Sequence, residues 1–392
     1  MRLLARCFPV GLAFLILSSV QSARSLAADD AKPERKPVRF NTFDEVELGG
    51  SFYRSSPAAG NKDKDTVVLL LHDFNHLKGG GSHQDGWNNL AGELQKAGYS
   101  VLSFDFRGFG DSKSVGEKFW TYPFNRGAGR GRGVKPPSSI DQKNFSQTYY
   151  LSLVNDIAAA RSYLNVLNDA GDVNSSNIVV VGAGQGATLG ALWMLSECRR
   201  QRDNTSDRLL PGMNPPFRTL DDPEGNDLAA SIWLTITPEV ERRLLGNALK
   251  SALVDIGKTA RIPTCFLYGK SDDPAATLAT NYFNAITAEP GKPKLETKTD
   301  TKACKAKAVP GSGTLSGSNL LKQRSTTKEI IDFINRVIED RGTRVRKERQ
   351  DVKYAFCWSL PWPTKTVRAR PVAKMPGEPV TRIIPLEALG LR

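Results

Sequence analysis

Residues Asn177–Trp193 read NIVVVGAGQGATLGALW. Ile178, Val179, Val180 and Val181 form a β-branched run, the composition of a buried strand. Three alternate glycines follow, Gly182, Gly184 and Gly186, and then small and apolar residues at helical spacing. Strand, tight glycine turn and helix in succession place groups at the carboxyl end of a parallel sheet, where α/β proteins put their sites.

The chain to either side repeats this alternation. Thr66–His72 (TVVLLLH) is continuously apolar, as in a strand covered on both faces. Trp87, Leu90, Ala91 and Leu94 then fall on one helical face within Trp87–Ala97. Tyr99–Phe104 is the next strand. Leu153, Ile157, Ala160 and Leu164 mark a helix over Gln147–Leu167. Beyond the glycine turn, strands are expected at Ala230–Ile236, Pro263–Tyr268 and Ala303–Val309. Helices are expected at Arg242–Ile256, Thr277–Ile286 and Thr326–Ile338, the last opening on a capping box of Thr326 and Glu329. Val38–Tyr53 reads as a short strand pair turning at Gly49-Gly50. The fold class is α/β, with a mostly parallel central sheet and helices on both faces. Residues 113–147, rich in Gly, Pro, Arg and aromatics without a stable period, form an irregular insertion after the second core strand. Its aromatics Phe119, Trp120, Tyr122 and Phe124 suit either a lid over the sheet's carboxyl edge or packing within the insertion.

The 392 residues carry a formal charge of +13. Met1–Arg6 is a basic n-region, Phe8–Val20 an apolar stretch too short to span a bilayer, and Ser25-Leu26-Ala27 offers small residues for cleavage. Residues 1–27 are therefore expected to be a secretory signal peptide, with a retained anchor as the alternative. The protein is then exported, to a periplasm, cell envelope or the exterior, with no transmembrane span once the signal is removed. Residues 28–37 read as a disordered linker, 38–340 as the folded domain, and 341–392 as a basic, Pro-rich tail able to meet anionic surfaces. Four cysteines outside the leader are not a disulfide framework, and Cys265 and Cys304 fit buried free thiols in strands. NRGAGRGRGVK (Asn125–Lys135) has the look of a nucleic-acid-binding segment, but in an exported chain a flexible basic loop is the better reading.

Two chemistries use a glycine turn like that after Val181. As the dinucleotide fingerprint G-x-G-x-x-A it would comprise Gly182, Gly184 and Ala187, with an acid closing a second strand about twenty residues on. Here the helix runs into QRDNTSDRLLPG, with no apolar strand. Four motifs decide for the other reading: LLLHDF (Leu69–Phe74), GYSVLSFDFRGFGDS (Gly98–Ser112), VVVGAGQGATLG (Val179–Gly190) and IPTCFLYGKSDD (Ile262–Asp273). Together they resemble the α/β-hydrolase superfamily, in its serine aminopeptidase-like and lysophospholipase-like esterase branch, over roughly Thr66–Ile338. The resemblance implies the α/β-hydrolase fold. It makes VVVGAGQGATLG the nucleophile elbow and Asp272, with Asp273 beside it, the triad acid.

The departures carry the functional reading. Alignment on the glycines puts Gly184 in the nucleophile slot, and Ser316 stands where the triad histidine is expected. The three histidines, His72, His76 and His83, all precede the elbow, whereas the family order is nucleophile, acid, histidine. Without nucleophile and base the Ser-His-Asp route to acyl transfer is closed. Backbone N–H groups of Phe74 and Gln185 could still form an oxyanion hole. The expectation is a protein that binds a small molecule or an envelope partner through the old cleft, with no cofactor. The alternative is an esterase-like or peptidase-like hydrolase using a non-standard nucleophile, or a metal held by His72, His76 and His83, with Asp73 and Asp85 within the same fourteen residues. Against the metal stands the plainer reading of His72 as the family's structural histidine and the other two as solvated loop residues.

Overall fold

The computed structural model describes residues 34–56, 64–74, 79–129, 135–204, 225–237, 248–288, 300–301, 304–347, 356–359 and 382–385. Eight strands form one sheet: β1 (Arg35–Asn41), β2 (Glu47–Tyr53), β3 (Val67–Leu71), β4 (Ser100–Phe104), β5 (Ile178–Ala183), β6 (Leu228–Leu234), β7 (Thr264–Gly269) and β8 (Cys304–Val309). Their spatial order is β1-β2-β4-β3-β5-β6-β7-β8. β3 to β8 run parallel, and β1 and β2 add an antiparallel edge. The helices are α1 (Trp87–Lys96), α2 (Val154–Asp169), α3 (Gly184–Asn204), α4 (Ala248–Val254), α5 (Asp273–Thr287) and α6 (Arg324–Arg341).

Period-two alternation sorts each strand between two cores. On β5, Val179, Val181 and Ala183 face Leu90 and Leu94 of α1 and Ile330 and Ile334 of α6. Ile178 and Val180 point the other way, into the core built from α2 to α5. Cys304 belongs to that second core and Cys265 to the first, so these neighbouring thiols lie on opposite faces of the sheet. Both are free and buried, as is Cys198.

Several boundaries differ from expectation, each for a physical reason. The β1–β2 turn is at Thr42–Val46, where Thr42 N–H donates to the Val46 carbonyl, Glu45 N–H to the Thr42 carbonyl, and Val46 N–H to the Thr42 hydroxyl. Gly49 and Gly50 lie inside β2. A Cβ on Gly50 would come within 3.0 Å of the Ser103 carbonyl and Phe104, so glycine here serves close approach to β4 rather than a turn. β1 begins at Arg35, inside the segment expected to be disordered. α6 begins at Arg324, and Thr326 and Glu329 form no capping box. The Thr326 hydroxyl donates to the Leu320 carbonyl, and Glu329 pairs with Lys305 and Lys307 of β8. α5 starts earlier than its apolar pattern, because Asp272 caps it and Pro274 fits its first turn. The helix expected over 242–256 lies partly outside the described residues; α4 forms its second half and ends in a π turn, Asp255–Thr259.

The insertion is a chain of 3₁₀ turns at Glu117–Thr121, Pro123–Ala128 and Gln142–Asn144. Its aromatics turn inward. Phe119 and Trp120 are buried edge to face, and Tyr122 meets Phe43 of the β1–β2 turn edge-on while Phe124 packs tilted against it. Arg107, fully buried, ties the insertion to the sheet. It donates to Asp44, Asp156 and Tyr149, while Asn125 reaches the same Asp44 carboxylate. The segment expected to be a signal peptide (1–27) lies outside the described residues, as do 130–134 of the Gly/Arg segment. Among the described residues no helix is long and apolar enough to cross a membrane.

Candidate functional site

β3, β5, β6 and β7 end at one edge, and a cleft of about 280 Å³ opens beyond them. It is lined by residues from each strand's following turn: Asp73 and Phe74 after β3, Gly184 and Gln185 after β5, Thr235 to Thr237 after β6, and Asp272 after β7. Ser316 and Gly317, from the loop after β8, complete the rim beside Pro274, Ala275 and Leu278. The structure thus brings Phe74, Gly184, Gln185, Asp272 and Ser316, far apart in sequence, into one concavity. Phe119, Trp120, Tyr122 and Phe124 take no part in its lining.

Gly184 has the left-handed backbone (φ 50°) that an elbow demands, and it opens α3. Gly186 lets α3 press onto β3, since a Cβ there would come within 3.0 Å of the His72 carbonyl. The turn is therefore built for close packing. What fills it is a carboxylate that the motif reading passed over. Asp73 Oδ1 accepts the backbone N–H of Phe74 (2.8 Å) and of Gln185 (3.1 Å). These are the two donors expected of an oxyanion hole. A Cβ built on Gly184 would fall within 3.0 Å of both Asp73 carboxylate oxygens, and one on Gly317 within 3.0 Å of Oδ2. The side chain of Asp73 thus occupies the volume that a nucleophile on residue 184 would need.

The neighbours of Asp73 hold it there. Its own N–H donates to Ser318 Oγ (3.2 Å), which also receives Trp87 Nε1–H (3.1 Å). His72 Nε2 accepts Phe106 N–H (3.1 Å), so the proton is on Nδ1 and is donated to the Asp73 carbonyl (2.8 Å). Burial holds His72 below its usual pKa, with Asp105 and the Asp73 carbonyl acting the other way, which keeps the ring neutral. Burial pushes the Asp73 carboxyl up, against the bonds from Gln185, Phe74 and Ser318.

Asp272 caps α5, its Oδ1 accepting Ala275 N–H at 3.2 Å. Ser316 is exposed at the start of a 3₁₀ turn, Gly317–Lys322. Both nitrogens of His72 are engaged, His83 contacts Arg35 and Asn88, and His76 lies outside the described residues. Among the described residues no group of three His, Cys, Asp or Glu could hold a metal. The dinucleotide reading meets the same carboxylate, since Asp73 stands where a phosphate would have to approach Gly184.

Asp73 enters the sequence reading only beside the histidines, not as the group filling the elbow, and the threonines of the β6 turn do not enter it at all. A signal for Asp73 was present in LLLHDF, where the family pattern carries Gly after His.

No match was found among curated proteins. Among solved structures the chain is similar to a dienelactone hydrolase from Anabaena variabilis, with 13% identity, 79% of this chain and 98% of that one covered, and a TM-score of 0.44. It is also similar to the esterase Pf2001 of Pyrococcus furiosus, with 13% identity, coverage of 78% and 91%, and a TM-score of 0.43. A putative α/β hydrolase from Agrobacterium tumefaciens gives 14% identity, coverage of 78% and 98%, and a TM-score of 0.45. The model of the alpha/beta hydrolase family matches residues 68–297, more than half the chain, from within β3 to beyond α5, and the chain belongs to that family.

Proposed function

We propose that this chain is an exported α/β-hydrolase-fold protein without serine-hydrolase activity, whose cleft binds a small molecule or an envelope partner. The observation that carries the reading is the position of the Asp73 carboxylate. Acyl transfer needs a nucleophile over the elbow, a base to deprotonate it, and free N–H donors for the developing oxyanion. Residue 184 supplies no hydroxyl, and no histidine follows it in the chain. The two backbone donors are already satisfied by Asp73 Oδ1. A substrate carbonyl entering the cleft would meet a negative oxygen where it requires positive dipoles. Ser316, Thr235 and Thr237 bring hydroxyls to the cleft, but no histidine lines it to activate them.

The test is direct. The exported form, incubated with a fluorophosphonate probe and assayed on ester and aminopeptidase substrates with and without chelator, is expected to take no label and to give only the uncatalysed rate. Covalent labelling of a cleft serine, or saturable turnover above that of a Gly184→Val control, would sink the reading.

A further inference from the structure

We propose that the hub where the insertion meets the sheet is a proton-operated clasp: one proton taken up on Asp156 in mild acid neutralises it and makes the fold firmer. Arg107 sits at its centre, between the Asp44 and Asp156 carboxylates, and all three side chains are fully buried. Among the described residues, those that face Asp156 with a charge or a titratable proton are Arg107, Asp44 and Tyr149. Burial keeps the Tyr149 phenol neutral, so two carboxylates share one cation and the ionised hub holds one negative charge in excess. An uncompensated buried charge is unfavourable, and a carboxylate removes it by binding a proton.

Hydrogen bonds decide which carboxylate takes the proton. Asp44 accepts from Arg107 Nη1 and Nη2, the Thr42 hydroxyl and the Asn125 amide, at 2.7 to 3.0 Å. Asp156 accepts only from Arg107, through Nε at 2.7 Å and the backbone N–H at 2.8 Å. Donors favour the ionised form, so Asp44 keeps its charge and Asp156 gives way. The 3₁₀ turn Gln147–Leu153 runs straight into α2, so Asp156 does not face an open helix end. Burial, only partly offset by Arg107, raises its carboxyl to about 6. The clasp joins the β1–β2 turn through Asp44, the turn after β4 through Arg107, the insertion through Asn125, the 3₁₀ turn through Tyr149 and α2 through Asp156. Asn125 also donates to the Phe119 carbonyl and accepts the Tyr149 hydroxyl, so the insertion's own turns are tied to the charge state of the hub.

Urea unfolding of the full chain from about pH 4 to pH 8 tests this, beside Asp156→Asn, which keeps the hub neutral across that range. A carboxyl whose pKa is raised in the folded chain stabilises it fully below the unfolded value and loses that contribution as pH rises through the folded one. Here the window runs from 3.8 to about 6. Asp73, raised by burial, slopes the same way there, and His72, lowered by burial, slopes the opposite way. Both are present in the variant, so the difference between the two proteins reads Asp156. The folding equilibrium constant of the wild type, relative to the variant's, is expected to rise by about tenfold per pH unit from about pH 6 towards pH 4 and to be level above about pH 7. A ratio that does not change with pH, or one that falls toward acid, would overturn the clasp. Carbon-13 titration of the aspartate-labelled wild type reads the same proton without Asp156→Asn. It should show a carboxyl titrating near pH 6 that persists in Asp73→Asn. If no aspartate titrates between about pH 5 and pH 7, or the only one that does disappears with Asp73, the proposal falls.

Discussion

Gly184 and Asp73 are one feature divided between two loops. A hydroxymethyl group on residue 184 would collide with the Asp73 carboxylate, and a side chain there would also adopt a left-handed backbone. Gly184→Ser is therefore expected to destabilise the protein by about 2 kcal/mol or more, and to gain no reactivity toward a fluorophosphonate. Paired with Asp73→Gly the same change should cost measurably less than the sum of the single variants, a coupling that denaturant titration of the four proteins would resolve. Strict additivity would mean that the two side chains do not compete for one volume. His72 matters at the same scale. It ties the end of β3 to the turn after β4, and His72→Leu leaves the buried Phe106 N–H without its acceptor. A loss of about 1–3 kcal/mol is expected, read as a lower midpoint in urea.

At the scale of elements, what could be read from residue order was periodicity. Continuous apolar strands, the i, i+3, i+4 stripe of α1 and the small residues opening α3 all act locally, and they place the sheet and its helices. Contacts between segments distant in sequence were not legible. The carboxylate of Asp73 reaches the turn after β5 only because β3 and β5 are hydrogen-bonded neighbours in register. Glu329 looked like half of a cap because its spacing from Thr326 is right, yet the lysines of β8 take it instead. The start of the basic tail shows the same limit. After α6 the chain is strapped to the amino-terminal end of the sheet. Asn177 accepts Arg344 N–H and donates to its carbonyl, both at 2.8 Å, and Asn174 and Asn168 donate to the Arg344 and Lys347 carbonyls. Asn177→Ala should cost about 1–3 kcal/mol and speed hydrogen exchange at the Arg344 amide. Unchanged exchange there would show that the strap is held by other contacts. The insertion depends in turn on Arg107. Arg107→Met would leave Asp44 and Asp156 buried without their cation, and a loss of about 3–5 kcal/mol is expected on thermal or denaturant unfolding.

For the whole molecule, charge and burial set the response to acid. Burial alone would raise Asp44, but Arg107, Thr42 and Asn125 hold it below the usual carboxylate range. Burial likewise opposes Asp105, whose carboxylate the backbone N–H groups of Ser82 and Asp111 keep low. A carboxylate whose pKa is lower in the folded than in the unfolded chain contributes stability above its unfolded value, and that contribution fades as pH falls through the folded one. Stability should thus be retained down to about pH 4 and decline below it, as the carboxylates protonate. A urea midpoint that is flat from pH 5 to pH 2 would contradict this. The same fold presents a cleft at the opposite end of the sheet from the strap, and there the account stands or falls on one property. The most direct measurement is the initial rate of ester hydrolysis by the purified protein, taken over a range of substrate concentration and followed by mass analysis of the fluorophosphonate-treated protein. The account predicts a rate equal to buffer alone and an unshifted mass. A saturable rate with a covalent adduct on a residue of the cleft would contradict it.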